Sequence, residues 1–336
     1  MDVVVCTRPG TLIIEKRPVP TPAPDEVLVR VRRVGMCGTD MHIFRGAQPF
    51  LTYPRVMGHE LSGEIATSSP DSNLRPGDPV YVVPYLSCGT CTACRKGKPN
   101  CCTSLEVLGV HRDGALSRYV CVPKRFVFSA HGVTLDEAAM VEFLAIGAHA
   151  VRRGDVTRDQ RVLVCGTGPI GTACALFSKL RGAEVTVVDI RPERLSLCRS
   201  TLGCDHALLV DADIDSRLLS ISGGDMFDVV FDATGNPDAM QAGFRYIAHG
   251  GTYVLVSVVN AHISFSDPEF HKREAKLMAS RNATEEDFEF VIECIRSKKI
   301  PTSQLHTHST SLTELPAKLE EWLKPECRVI KALVEC

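Results

Sequence analysis

The sequence predicts an α/β protein of two domains: a doubly wound parallel-sheet dinucleotide-binding domain, and a smaller β-barrel-like domain that carries metal ligands. Three observations predict it. A glycine-rich turn, Gly166-Thr167-Gly168-Pro169-Ile170-Gly171, stands between an apolar strand pattern and a helical one. Short β-patterned segments separated by Pro and Gly fill the N-terminal third. Four cysteines, Cys88, Cys91, Cys94 and Cys102, are spaced C-x2-C-x2-C-x7-C. At 336 residues the chain exceeds what one hydrophobic core usually serves, so two domains are the natural expectation.

Composition removes several classes of function. With 44% hydrophobic and 23% charged residues, the chain reads as an ordinary globular protein. Its 38 basic and 40 acidic residues leave a net charge of -2, and a nucleic-acid partner would call for a basic excess. No apolar run approaches the roughly 18 residues of a membrane span, and the N-terminus lacks the pattern of a secretory signal. The expectation is therefore a cytoplasmic protein with no nucleic-acid or membrane partner. Fifteen cysteines in a chain this long point to metal ligation and buried thiols in a reducing compartment.

From the N-terminus, Val3-Val4-Val5, Thr11-Leu12-Ile13-Ile14 and Val27-Leu28-Val29-Arg30-Val31 read as strands, with Pro18, Pro20, Pro22 and Pro24 keeping them apart. Cys37-Gly38-Thr39-Asp40-Met41-His42 follows, and then Gly58-His59-Glu60. Together they offer a thiolate, an imidazole and a carboxylate, the donor types zinc accepts at a catalytic site that keeps one position open. More strands are expected at Leu61-Ser62-Gly63-Glu64-Ile65 and at Pro79-Val80-Tyr81-Val82-Val83, beyond the turn Arg75-Pro76-Gly77-Asp78.

Cys88, Cys91, Cys94 and Cys102 could close a tetrahedron around a structural zinc ion, with Gly89, Gly97 and Pro99 tightening the loop. Cys101, beside Cys102, is a rival ligand that spacing leaves open. Residues 107–114 read as a loop into the strand Ser117-Arg118-Tyr119-Val120-Cys121-Val122. Residues 135–151 have small and apolar residues at helical spacing, and they carry Glu142. An acid among apolar neighbours needs compensation, from a metal ion or from Arg152 or Arg153.

At Arg161 the pattern changes. Val162-Leu163-Val164-Cys165 is a strand, the glycine turn follows, residues 172–181 form a helix, and Val185-Thr186-Val187-Val188-Asp189 is the next strand. In that setting the glycines form a dinucleotide fingerprint, with the pyrophosphate expected on the helix N-terminus. Asp189 would accept hydrogen bonds from the ribose of NAD and repel the 2′-phosphate of NADP. Arg191 and Arg194 follow it, either as part of the cofactor site or as a solvated helix start. Strands at Ala207-Leu208-Leu209-Val210, residues 227–232 and residues 251–256 continue the sheet, which closes near residue 287. A helix is expected over 288–298, and a strand over 328–334 that returns to the first domain.

The segments Gly35 to His42 and Gly58-His59-Glu60, the four-cysteine lobe and the glycine turn together resemble the zinc-dependent medium-chain dehydrogenases, over essentially the whole chain. The chain looks most like the sorbitol-dehydrogenase-like branch. Phe44-Arg45-Gly46-Ala47-Gln48-Pro49-Phe50, Tyr53-Pro54-Arg55-Val56, Val110-His111-Arg112-Asp113-Gly114 and the stretch Phe265 to Lys272 are similar to bacterial sugar-acid dehydrogenases. Two departures stand out: Glu142-Phe143 where the family has Glu-Pro, and Ser68-Ser69-Pro70-Asp71 where it has a glycine-valine turn.

The resemblance implies a GroES-like catalytic domain over 1–147 and 288–336 and a Rossmann NAD-binding domain over 148–287. It implies a catalytic zinc held by Cys37, His59 and either Glu60 or Glu142, with Glu60 also taking a catalytic part by moving between ligand and outer positions. Asp40 would orient His59, and Thr39 and His42 would relay the released proton. Gly166, Gly168, Pro169, Ile170, Gly171, Asp189 and Arg194 would bind NAD. Arg281 would pair with a substrate carboxylate, with His111, Arg112 and His271 as weaker candidates. The implied reaction is NAD-dependent oxidation of a secondary alcohol of a sugar acid, in a homo-oligomer (dimer or tetramer). The rivals are a neutral-polyol or threonine dehydrogenase and a zinc-free dinucleotide sensor; a sensor would not need Cys37, His59, Glu60, Thr39 and His42 together.

Overall fold

The computed structural model describes residues 1–68 and 73–336. The chain divides into two compact units, residues 1–142 with 284–336, and residues 143–283. The joins expected from sequence, at 147 and 288, lie a few residues further on. Ser69, Pro70 and Asp71 of the departing turn lie outside the described residues.

The first unit opens with β1 (Asp2–Arg8) and β2 (Thr11–Lys16), paired antiparallel. It continues through β3 (Glu26–Met36), α1 (Gly38–Phe44), β4 (Glu60–Thr67), β5 (Pro79–Val82) and β6 (Tyr85–Leu86). The short helix α2 (Thr92–Arg95) lies in the cysteine lobe, and β7 (Glu106–Val107), β8 (Tyr119–Pro123), β9 (Val127–Ser129) and α3 (Leu135–Ala139) complete this part. The chain passes into the second unit inside α4 (Val141–Arg153).

There β10 (Arg161–Cys165), α5 (Pro169–Leu180), β11 (Glu184–Asp189), α6 (Pro192–Ser200), β12 (His206–Leu209) and α7 (Ile214–Ile221) alternate. They are followed by β13 (Phe227–Asp232), α8 (Pro237–Gly243), β14 (Ile247–Leu255), α9 (Asp267–Lys272) and β15 (Lys276–Ala279). The six strands are all parallel, in the order β12-β11-β10-β13-β14-β15. Their inner members are runs of Val, Leu and Phe because both faces of a parallel sheet are covered. The strand order reverses between β10 and β13, and such sheets bind ligands beyond the carboxyl ends of those strands.

The chain returns to the first unit with α10 (Glu285–Arg296), α11 (Thr302–Leu305), β16 (His306–Ser311), α12 (Leu315–Trp322) and β17 (Lys331–Glu335). β17 pairs antiparallel with β3 and sets Leu333 opposite Gly35, as the expected returning strand does. The seven-stranded sheet reads β16-β17-β3-β4-β5-β9, with β8 also on β3. Its core packs Val29, Val34, Leu61, Val80, Leu116 and Val334 at 2% exposure or less. A buried sheet gives the end of β3 and the start of β4 fixed positions, and the ligand-bearing residues sit at those two points.

Candidate active site and metal centres

Cys37 directly follows β3 and is the N-cap of α1, while Glu60 begins β4 with His59 just before it. Antiparallel pairing of the two strands puts Gly35 opposite Glu60. A Cβ at position 35 would lie 2.2 Å from Glu60 Oε2, so any larger residue there would displace the carboxylate. One donor atom each from Cys37, His59 and Glu60 falls within 4.8 Å of the others. His59 is 4% exposed and Glu60 is fully buried. The buried His59 Nδ1 has no hydrogen-bond partner among the described residues.

Asp40 Oδ1 stands 3.9 Å from His59 Nδ1, too far for a hydrogen bond but close enough for its charge to act on the imidazole. Its carboxylate instead accepts the backbone N–H of Cys37 at 2.9 Å and of Gly58 at 3.1 Å. It therefore braces the chain on either side of the donor set. Burial disfavours a charged His59, but the negative fields of Asp40 and Cys37 outweigh it and hold the imidazole pKa well above its usual value. The same field attracts a cation, and a thiolate, an imidazole and a carboxylate with an orphaned buried nitrogen fit zinc.

Lys331 is the functional residue that sequence reasoning missed. Fully buried on β17, its Nζ donates to Glu60 Oε1 (2.7 Å) and Oε2 (2.6 Å) and to the Met36 carbonyl (3.2 Å). Burial would lower the ammonium pKa, but Glu60 more than reverses this. The signal was a single lysine inside the apolar run Ile330-Lys331-Ala332-Leu333-Val334.

Glu142 stands outside the group of three. Its Oε1 accepts from the Tyr85 hydroxyl, and its buried Oε2 has no partner among the described residues. Burial pushes its pKa up to about 7, against the lowering field of His59. Thr39 and His42 lie three apart on α1, on one side of the helix, and His42 is exposed. His111 accepts the Val107 N–H at Nδ1 (3.0 Å) and stacks on the exposed Phe50, ring centroids 6.4 Å apart. Arg112 is paired with Glu26 at 3.4 Å.

In the lobe, the sulfurs of Cys88, Cys91, Cys94 and Cys102 gather within 4.8 Å, and Cys101 is not among them. Backbone N–H groups aim at the sulfurs: Cys91 and Thr90 donate to Cys88 (3.3 and 3.4 Å), and Cys88 and Ser104 donate to Cys102 (3.3 and 3.4 Å). Hydrogen bonds from Thr90 bring the Cys88 pKa down to about 7, and those involving Cys94 and Thr103 bring Cys91 to about 5. Burial raises Cys94 to about 11, so the low-pKa thiols are Cys88 and Cys91. Four gathered sulfurs fit a structural zinc with no open position.

In the second unit, Gly166 follows β10 at φ 84° and Gly168 caps α5, whose first residues are Pro169 and Ile170. A Cβ at Gly171 would lie 1.8 Å from the Gly166 carbonyl oxygen, so only glycine lets the helix start against the turn. Asp189, 6% exposed at the end of β11, accepts from Thr167 N–H (2.6 Å) and Oγ1 (2.8 Å) and from Arg191 N–H (2.9 Å). Arg194 reaches within 3.9 Å of it. The turn and the acid are thus one hydrogen-bonded unit. Arg281 is exposed just past β15, and His271 is in the last turn of α9.

The alcohol dehydrogenase GroES-like domain family matches residues 23–132, and the zinc-binding dehydrogenase family matches residues 169–297. The L-galactonate-5-dehydrogenase of Escherichia coli K12 is 40% identical over 335 residues, 99% of this chain and 98% of that protein. An L-idonate 5-dehydrogenase of Vitis vinifera is 32% identical, covering 90% of this chain and 86% of that one. Among solved structures, the RspB alcohol dehydrogenase of E. coli CFT073, complexed with cofactor NADH, superimposes with a TM-score of 0.94. It is 30% identical, with 100% of this chain and 99% of that one covered.

Proposed function

Because this chain belongs to the zinc-binding alcohol dehydrogenases with a GroES-like domain, we propose that it oxidises a secondary alcohol of a sugar acid to the keto acid with NAD, in the manner of an L-galactonate 5-dehydrogenase. The observation that carries this reading is one chain holding both the Cys37, His59 and Glu60 donor set and a dinucleotide turn ending on Asp189. Cys37 and His59, with Glu60 or Glu142 as the carboxylate, would hold a zinc ion, which would supply the Lewis acidity that makes an alcohol hydroxyl easier to ionise. Lys331 holds Glu60 in place and balances its charge, and Asp40 fixes the backbone of the donor set. The turn 166–171 takes the pyrophosphate, and the buried negative charge of Asp189 favours NAD over a 2′-phosphorylated cofactor.

Thr39 and His42 are assigned to moving the released proton to solvent, which the exposure of His42 supports. His42→Ala should lower turnover most near neutral pH, where imidazole is the effective base, and alkaline buffer should restore part of the loss. A pH–rate profile superimposable on the wild type removes His42 from the relay. Arg281 is assigned to the substrate carboxylate. Arg281→Gln should raise KM for acid substrates by about tenfold or more, the loss of a charge-assisted hydrogen-bond pair, and should leave neutral polyols nearly unaffected. Equal effects on both substrate classes refute the assignment. His111, stacked on the exposed Phe50, is the further candidate for substrate contact.

The assay that tests the function is NADH formation by the zinc-loaded protein with L-galactonate, L-gulonate, L-idonate, sorbitol, threonine and simple alcohols. Turnover confined to the sugar acids supports the proposal. Turnover confined to sorbitol or threonine refutes the carboxylate specificity. Cofactor binding without turnover on any of them favours the sensor. All fifteen cysteines are free, which suits a reducing cytoplasm, and no helix among the described residues is long and apolar enough to cross a membrane. A homo-oligomer is proposed on the open sheet edge at β15, where Leu277 is 42% exposed, and light scattering tests it.

A further inference from the structure

The parallel sheet of the second unit has a cavity at its other end. It measures about 590 Å³ and lies at the amino ends of three strands: Met226 immediately precedes β13, Ile247 starts β14, and Ala275 immediately precedes β15. The glycine turn follows the carboxyl end of β10, and Asp189 is the carboxyl-terminal residue of β11. A strand the length of β13 separates the two ends by roughly 20 Å, so the cavity is no part of the dinucleotide crevice.

Its wall is aromatic. Phe265 stacks on Phe244 with centroids 4.7 Å apart, and Phe270 leans on Phe265 at 5.0 Å. Phe265 remains 42% exposed and Leu219, also lining the cavity, 45% exposed. Met226 adds a flexible thioether from a backbone held at φ 66°, a conformation uncommon for a bulky residue. The charged groups at the rim are paired with one another. Asp215 takes the Tyr246 hydroxyl at 2.6 Å and Arg245 at 3.4 Å, and Glu269 takes Arg273 at 3.2 Å. The lining therefore offers a ligand ring faces and apolar contact, with no net charge to match an anion or a cation.

We propose that this cavity is a second small-molecule site, separate from cofactor and substrate, which takes a neutral planar aromatic compound of two or three rings. Its volume lies in the range of ligand pockets, and stacked phenylalanines of which Phe265 is 42% exposed favour a flat ring over an aliphatic chain. The balanced rim selects against phosphates, carboxylates and amines, which would be desolvated without a partner.

The test uses N-phenyl-1-naphthylamine, an uncharged probe whose fluorescence rises in apolar surroundings, with the zinc-loaded full chain. Saturable binding near one probe per chain is expected, and saturating NAD should leave the affinity unchanged. Phe265→Gln and Leu219→Gln, at two partly exposed positions, should each weaken binding by about tenfold while dehydrogenase turnover and melting temperature stay at wild-type values. No saturable binding, displacement by NAD, or full affinity in both variants overturns the proposal. It is also overturned if the variants convert an oligomer to monomers and the probe binds only to those monomers, because the face is then covered by a second copy.

Discussion

Cys37→Ser is expected to lower turnover by roughly a thousandfold, the rate equivalent of about 4 kcal/mol of Lewis-acid stabilisation. Serine keeps the size of the side chain but replaces a soft thiolate with a hydroxyl that ionises poorly, so the donor set of Cys37, His59 and Glu60 loses its strongest ligand for zinc. The lobe is a separate donor set and should keep its ion. Metal analysis should then find one zinc lost per chain in Cys37→Ser, with the fold retained. Cys94→Ser should lose the other ion and expose the loop around residues 88–102 to protease. If Cys37→Ser kept turnover within about tenfold of wild type, this donor set could not be the reaction centre, since the Lewis-acid contribution would be too small.

Lys331→Met should destabilise the protein by about 3–5 kcal/mol, because it leaves the Glu60 carboxylate buried without its ammonium partner. The loss should be larger after zinc is removed by a chelator, since a bound cation compensates part of the same charge. In the double variant Glu60→Gln with Lys331→Met, most of the stability should return, because replacing both members of a buried pair removes the uncompensated charge. Denaturant midpoints for the two single variants and the double variant make a complete cycle. Additive losses would show that the pair contributes no coupling. Turnover should stay low in the double variant even as stability recovers, which separates the role of Glu60 at the site from its role in the fold.

Much of this protein was legible in its sequence because the informative features are local. The glycine turn works through three positions within six residues, and both the positive φ of Gly166 and the 1.8 Å approach at Gly171 are demands a sequence pattern records. The lobe is closed by four cysteines within fifteen residues, so spacing alone came close to defining it. Helix starts were less well placed: α5 begins at Pro169, inside the glycine motif, because proline suits the first turn of a helix.

Length, periodicity and motif spacing were enough to read the two-domain α/β organisation, a parallel nucleotide-binding sheet and the donor types available for zinc. How those donors are held follows from contacts between distant parts of the fold. Lys331 comes from β17, 271 residues along the chain from Glu60, and meets it because β17 and β4 both pair with β3. Asp40 braces backbone as well as facing the imidazole, and Cys101, which spacing left as a rival to Cys102, is exposed and outside the group of four sulfurs. Local patterns follow from helix and strand periodicity and from the chemistry of single residues. Which buried charge meets which partner follows from strand pairing between distant segments, and no short window of the sequence contains that information.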